Sequence, residues 1–310
     1  MIDIGARRTE QLLPYGELRE ELMHVMQLAR GGCVRWVERG HITLDSGTTL
    51  YSMVAADDEI LVNKTVTLNP ANPVVGRRMQ GGQVSVFETA QGSPLMVLDG
   101  PTLTSRRTAA VSSIAITGFL PQARSALVVG YGMVARAHVQ SLFELNGIRE
   151  FAIAGRDVHA AERLAQFARG LGSLCSVVDD VSKVFDRYDV VLTATSSETP
   201  VLPESARGDQ LIIAVGSYKA SMAELPPGLV TGAESIVVDN LDAARSEAGE
   251  LIQADIAWHT VQELSNALGI AGAGQRPHGY RIFKSVGHSL WDLAAARLAW
   301  RGLSATLGRK

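Results

Sequence analysis

The sequence predicts an α/β protein in which a doubly wound parallel sheet is joined to a smaller α+β domain. Three observations carry this prediction. Six short apolar runs recur between residues 125 and 240, a glycine turn follows the first of them directly, and the first 120 residues lack that rhythm.

Within the first 120 residues, 83–89 (QVSVFET) and 95–98 (LMVL) flank Gln91, Gly92, Ser93 and Pro94, the pattern of an antiparallel hairpin around a turn. A helix is expected over 105–120, with Ala109, Ala110, Ile114 and Ala115 on one side and Pro121 as its stop. The repeat begins next. Its apolar runs are 126–129, 151–154, 174–178, 190–194, 211–215 and 236–238. Each is too short for a helix and apolar on both faces, as strands of a sheet covered on both sides must be. Beyond 240, helices are expected over 258–268 and 288–303, separated by a glycine-rich loop, 269–279, and a strand, 280–283. The last helix is expected to return to the first domain, giving domains of 1–120 with 285–310 and 121–284.

Composition narrows the function classes. The 310 residues carry 29 Lys plus Arg against 32 Asp plus Glu, so no basic excess marks a nucleic-acid partner. No apolar run approaches the ~18 residues of a membrane span. Arg7, Arg8, Glu10 and Glu17 stand where a signal peptide would be apolar, and a cytoplasmic protein is expected. Cys33 and Cys175 lack Cys or His partners at metal-ligand spacing, so no metal is expected and both are read as buried small hydrophobes. The one compositional oddity is 30 glycines.

Gly130-Tyr131-Gly132-Met133-Val134-Ala135 fits GxGxxA between an expected strand and a helix-compatible run ending near Leu145. Gly130 permits the tight turn, Gly132 lets backbone approach a pyrophosphate, and Ala135 lets the helix pack closely on the strand. The helix N-terminus then offers free N–H groups and a favourable dipole to the anion. The larger domain therefore reads as a Rossmann-type dinucleotide binder. After the second run come Gly155, Arg156 and Asp157, where an NAD enzyme places a carboxylate on the ribose. Arg156 favours a 2′-phosphate, and so NADP over NAD, while Asp157 is placed to cap the next helix. Thr195 and Ser196 after the fourth run, with Val215, Gly216 and Ser217 after the fifth, lie where ligands of open α/β sheets sit. Hydride transfer needs no nucleophile or metal, only groups that fix and polarise the substrate. Arg39, Lys64 and Arg107 are the candidate cations.

Several segments then resemble one family in order, over about residues 35–300. They are 61–67 (LVNKTVT), 70–73 (PANP), 80–82 (QGG), 98–100 (LDG), 103–110 (LTSRRTAA), 130–138 (GYGMVARAH), 247–253 (EAGELIQ), 283–287 (FKSVG) and 292–296 (DLAAA). The family is that of ornithine cyclodeaminase and mu-crystallin. The resemblance implies a homodimeric NAD(P) enzyme whose Arg39, Lys64 and Arg107 grip a substrate carboxylate, Arg35 being a rival for the first role. It also implies that Arg107 and Thr108 touch the cofactor, that the turn Gly130, Tyr131, Gly132, Met133 and Val134 holds it, and that Ser285, Val286 and Gly287 close over nicotinamide and substrate. Val134 stands where the family often has glutamine.

Cyclodeaminases of the family carry an aspartate after the fifth strand, in GVGGD; this chain has Tyr218 there, followed by Lys219. Deamination with ring closure moves protons to and from amines, work that suits a carboxylate. A phenol of reference pKa ~10 is a poor base near neutrality. The segment GSYKASMAEL is instead similar to the family's ketimine reductases. The resemblance thus implies NADPH-dependent reduction of Δ1-pyrroline-2-carboxylate or Δ1-piperideine-2-carboxylate to proline or pipecolate. Ornithine cyclodeamination, or non-catalytic NADP and ligand binding as in mu-crystallin, are the alternatives. A cyclic imine can arrive protonated from water; Tyr218, Lys219 and His288 are the candidate proton donors.

Overall fold

Strands that alternate in polarity bury one face and continuously apolar strands bury both, and the two kinds occur here in separate units. In the computed structural model, which describes residues 1–270 and 279–307, one unit comprises Met1–Ala110 with His288–Lys310 and the other Val111–Gly287.

The first unit runs β1 (Ile2–Ile4), α1 (Ala6–Gln11), α2 (Tyr15–Arg30), β2 (Arg35–Thr43), β3 (Thr49–Ala56), β4 (Ile60–Leu68), β5 (Gln80–Glu88) and β6 (Pro94–Asp99), then enters α3 (Gly100–Phe119). Its sheet has the order β1-β6-β5-β4-β3-β2, antiparallel except where β1 joins β6. Tyr51, Met53 and Ala55 of β3 and Ile60, Val62, Lys64 and Val66 of β4 alternate onto the buried face. Leu18, Leu22, Val25 and Met26 of α2 recur at helical spacing and are buried too. The hairpin read from sequence is β5–β6, with Gln83 opposite Asp99. The helix expected from 105 starts earlier, at Gly100, because Asp99 Oδ1 accepts the Thr102 N–H at 2.9 Å and caps it.

The second unit runs β7 (Ser125–Val129), α4 (Met133–Leu145), β8 (Glu150–Ala154), α5 (Val158–Gly170), β9 (Leu174–Val178), β10 (Val190–Thr193), β11 (Leu211–Ala214), α6 (Pro227–Thr231), β12 (Ser235–Val238), α7 (Leu241–Glu247), α8 (Gly249–Gln253), β13 (Gln262–Glu263), α9 (Leu264–Ile270) and β14 (Arg281–Lys284). The chain then returns to the first unit as α10 (Ser289–Leu307), which packs on α2, β3 and β4. The second sheet is wholly parallel in the order β13-β12-β14-β11-β10-β7-β8-β9. β7, β10 and β11 are buried along their whole length, whereas β9 is an edge. The order reverses between β7 and β10, the kind of switch point beyond whose carboxyl ends ligands of open α/β sheets sit.

Three expectations are corrected. The six runs are all strands and the expected strand 280–283 is β14, but it inserts between β11 and β12 rather than following the series, and the unexpected β13 extends the edge to make eight. The helix expected over 258–268 is a short turn at Trp258–Thr260, then β13, then α9; pairing of Gln262 with Val237 overrides local helix propensity. Cys33 is exposed, since it lies between α2 and β2 rather than in the core, and Cys175 on edge strand β9 is half-buried, its thiol pushed up to about 11 by desolvation. Of the glycine-rich loop 269–279, residues 271–278 lie outside the described residues.

Candidate active site

The turn after β7 is built on a backbone that only glycine adopts freely. Gly130 has φ +124°, its N–H donates to the Ala154 carbonyl at 2.8 Å, and a Cβ there would collide with the Ala194 carbonyl. It therefore draws together the ends of β7, β8 and β10. Gly132 is the N-cap of α4 and carries no side-chain cap, so the first-turn N–H groups have no capping oxygen. Tyr131 and Met133 are partly exposed, Val134 is half-buried, and Ala135 is fully buried against the sheet. The Tyr131 ring lies over Gly155, leaving no room for a Cβ. Arg156 is exposed, and Asp157 caps α5 by accepting the Ala160 N–H at 3.0 Å. A residue that sequence reasoning missed fixes this turn from behind. Buried His138 donates Nδ1–H to the Val134 carbonyl (2.8 Å) and its Nε2 accepts from the Ser112 hydroxyl (2.9 Å). Desolvation lowers its pKa to about 4, so it is neutral.

The ends of β10 and β11 are held by a second missed residue, Glu224. One carboxylate oxygen accepts the Thr195 N–H (2.6 Å) and hydroxyl (2.8 Å), the other the Gly216 N–H (2.7 Å). Burial raises its pKa, with Lys284 opposing. Ser196 is exposed and Val215 half-buried, but the Ser217 side chain is fully enclosed. Its hydroxyl meets Glu250 and Lys284 Nζ, and Lys284 also donates to the Ser217 carbonyl at 2.8 Å and pairs with Glu250 at 3.1 Å. Ser285, Val286 and Gly287 are wrapped about Asp239, which accepts the Ser285 hydroxyl (2.7 Å) and the Val286 and Gly287 N–H groups (2.9 and 3.0 Å). Tyr218 is partly buried and desolvation raises its phenol further, away from any base role.

In the first unit, Lys64 and Arg107 come together on one anion. Lys64 Nζ lies 3.1 Å and Arg107 Nε 3.2 Å from the same oxygen, Oδ1 of Asp292 on α10. All three side chains are at most 5% exposed. Burial, aided by Arg107 and Arg39, lowers Lys64 to about 7 against the pull of Asp292. Arg39, half-buried on β2, lies 5.7 Å from the centre of the Tyr51 ring, whereas Arg35 is exposed. The Thr108 hydroxyl is turned to its own helix, onto the Thr104 carbonyl at 2.7 Å. His288 is buried between Trp36 and Trp291, and its Nδ1 accepts the Leu290 N–H at 3.1 Å. Two cations on one buried carboxylate, with Arg39 near enough to act on Lys64, leave excess positive charge, the chemistry of an anion site.

Comparison with known proteins agrees in extent and kind. The model of the ornithine cyclodeaminase/mu-crystallin family matches residues 14–305. Delta(1)-pyrroline-2-carboxylate reductase 2 of Burkholderia ambifaria is 34% identical over 98% of this chain and 96% of its own. A Delta(1)-pyrroline-2-carboxylate/Delta(1)-piperideine-2-carboxylate reductase of Azospirillum brasilense is 34% identical over 97% of this chain and 95% of its own. Among solved structures, Delta(1)-pyrroline-2-carboxylate reductase of Thermococcus litoralis, in complex with NADH and L-proline, superposes with a TM-score of 0.91 at 23% identity, covering 97% of each chain.

Proposed function

The chain belongs to the ornithine cyclodeaminase/mu-crystallin family, and on that premise we propose that it is an NAD(P)H-dependent reductase of small cyclic ketimine carboxylates. Its substrates are Δ1-pyrroline-2-carboxylate or Δ1-piperideine-2-carboxylate and its products proline or pipecolate, as the names of the relatives suggest. The observation that carries this reading is the buried cluster of Lys64, Arg107 and Asp292 with Arg39 beside it, whose excess positive charge a substrate carboxylate would neutralise.

The roles divide by domain, 1–120 with 285–310 for the substrate and 121–284 for the nucleotide. Arg39, Lys64 and Arg107 hold the carboxylate and so fix the adjacent C=N carbon. The glycine turn, with Tyr131, Met133 and Val134, takes the pyrophosphate, and its open N-cap and forbidden Cβ at Gly130 fit that task. We assign Thr195, Ser196, Val215, Gly216, Ser217 and the stretch Ser285, Val286 and Gly287 to the nicotinamide side, Ser217 through its backbone since its hydroxyl is engaged by Glu250 and Lys284, and Thr108 to the cofactor. Arg156 selects NADP over NAD. When bound, the reduced nicotinamide supplies the hydride. Tyr218 in place of a carboxylate withholds the base that cyclodeamination requires. We also infer a cytoplasmic homodimer that pairs through β2, the sheet edge on which Trp36, Val37 and Ile42 are exposed.

The test is NADPH and NADH consumption with a panel of cyclic ketimines, with pyruvate plus ammonia, and with ornithine and NAD in the opposite direction. Turnover of a cyclic ketimine is expected; its absence across the panel overturns the proposal.

A further inference from the structure

We propose that Lys64 donates the proton to the imine nitrogen and that Asp292 is the residue that positions it for this step, a proposal that rests on the ketimine-reductase reading above. Lys64 projects from β4 onto the buried face, in line with Ile60, Val62 and Val66. Its ammonium carries three N–H groups and, among the described residues, one hydrogen-bond acceptor, Asp292 Oδ1. Buried donors without acceptors are costly, so the remaining N–H groups are poised for a ligand.

An α-imino carboxylate offers matching acceptors. Its imine nitrogen and one carboxylate oxygen are borne by adjacent carbons and can share one edge of the molecule, so a single ammonium can contact both while Arg107 and Arg39 hold the carboxylate. The step balances. Hydride and its electron pair form the new C–H bond, the C=N π pair moves to nitrogen, and the Nζ–H bond breaks as its proton joins that nitrogen. Lys64 is left as a neutral amine, which water re-protonates before the next turnover.

The charged groups facing Lys64 are Asp292 from α10, Arg107 from α3 and Arg39 from β2; β3 and β5, paired on either side of β4, set apolar Met53 and Val84 opposite it. Burial is the largest influence and brings Lys64 to about 7, which suits an acid working near neutrality. Asp292 alone among these groups favours the charged amine. Its Oδ1 serves both cations, and among the described residues its buried Oδ2 has no hydrogen-bond partner.

The experiment measures kcat and kcat/KM against pH for wild type, Asp292→Asn and Lys64→Arg, with thermal unfolding of each. In wild type, kcat/KM falls as pH rises through about 7. In Asp292→Asn the fall moves to lower pH by about one unit or more, because the opposing charge is gone. Lys64→Arg keeps a cation on the carboxylate, so KM changes little, but kcat drops about 100-fold or more because a guanidinium does not release its proton. A fall that stays in place in Asp292→Asn belongs to the substrate's own imine and overturns the proposal. So does Lys64→Arg with undiminished kcat, a readout that stands alone if Asp292→Asn fails to fold. Absence of ketimine turnover in wild type removes the function itself, and is thereby told apart from failure of the Lys64 assignment.

Discussion

Single side chains beside the glycine turn separate cofactor choice from stability. Arg156 is exposed at the end of β8, while its neighbour Asp157 is spent on capping α5. A guanidinium in that place gains a charge-assisted hydrogen bond from a 2′-phosphate and nothing comparable from a ribose hydroxyl. Arg156→Ala is expected to raise KM for NADPH about tenfold or more, from the loss of ~1.5–3 kcal/mol, and to leave NADH nearly unchanged. Equal effects on both cofactors would remove the case for NADP. His138 acts on stability instead. Its folded pKa of about 4 lies below its ordinary 6.5, so between those values the unfolded chain binds more protons. Its contribution is complete above pH 6.5 and is lost as pH falls toward 4, a change of about 3 kcal/mol. Urea unfolding at pH 7 and pH 5 should show a smaller acid-induced loss in His138→Gln than in wild type.

Among the elements, α10 does two things at once. Arg297 binds Glu21 of α2 at 2.7 Å and, in the turn between β3 and β4, Asp57 and Glu59 (2.9 Å), so one guanidinium ties α2 and that turn to the helix. Asp292 of the same helix meets Lys64 of β4 and Arg107 of α3. Arg297→Met is expected to cost about 3–5 kcal/mol, because Asp57 and Glu21 are left buried without their cation. Denaturant unfolding measures it; a loss within experimental error would mean those carboxylates find other partners. Local pattern set the identity of α10, β5, β6 and the strands β7 to β12, where periodicity and turn residues agree. It failed for 258–268, where a partner strand decides the conformation, and it missed the start of α3, where Asp99 is at once the last residue of a strand and the cap of a helix.

For the molecule as a whole, the unpaired ladder of β2 and its exposed Trp36, Val37 and Ile42 form an edge that a second copy would cover. If the proposed pairing holds, wild type is dimeric and Val37→Lys with Ile42→Lys monomeric in light scattering after size exclusion, and a wild type already monomeric at micromolar concentration would sink the proposed dimer. The sequence by itself determined the α/β class and the strand–glycine turn–helix unit, because each signal lies within a few residues, and it named Arg39, Lys64 and Arg107 as candidate cations. Only the tertiary structure decided what those cations meet. Asp292 stands 228 positions from Lys64 and 185 from Arg107, and reads in DLAAA as one more helix carboxylate until α10 packs against β4. Glu224, Asp239 and His138 were silent for the same reason. A buried charge is defined by what surrounds it, and burial is a property of packing between distant segments that no local period encodes.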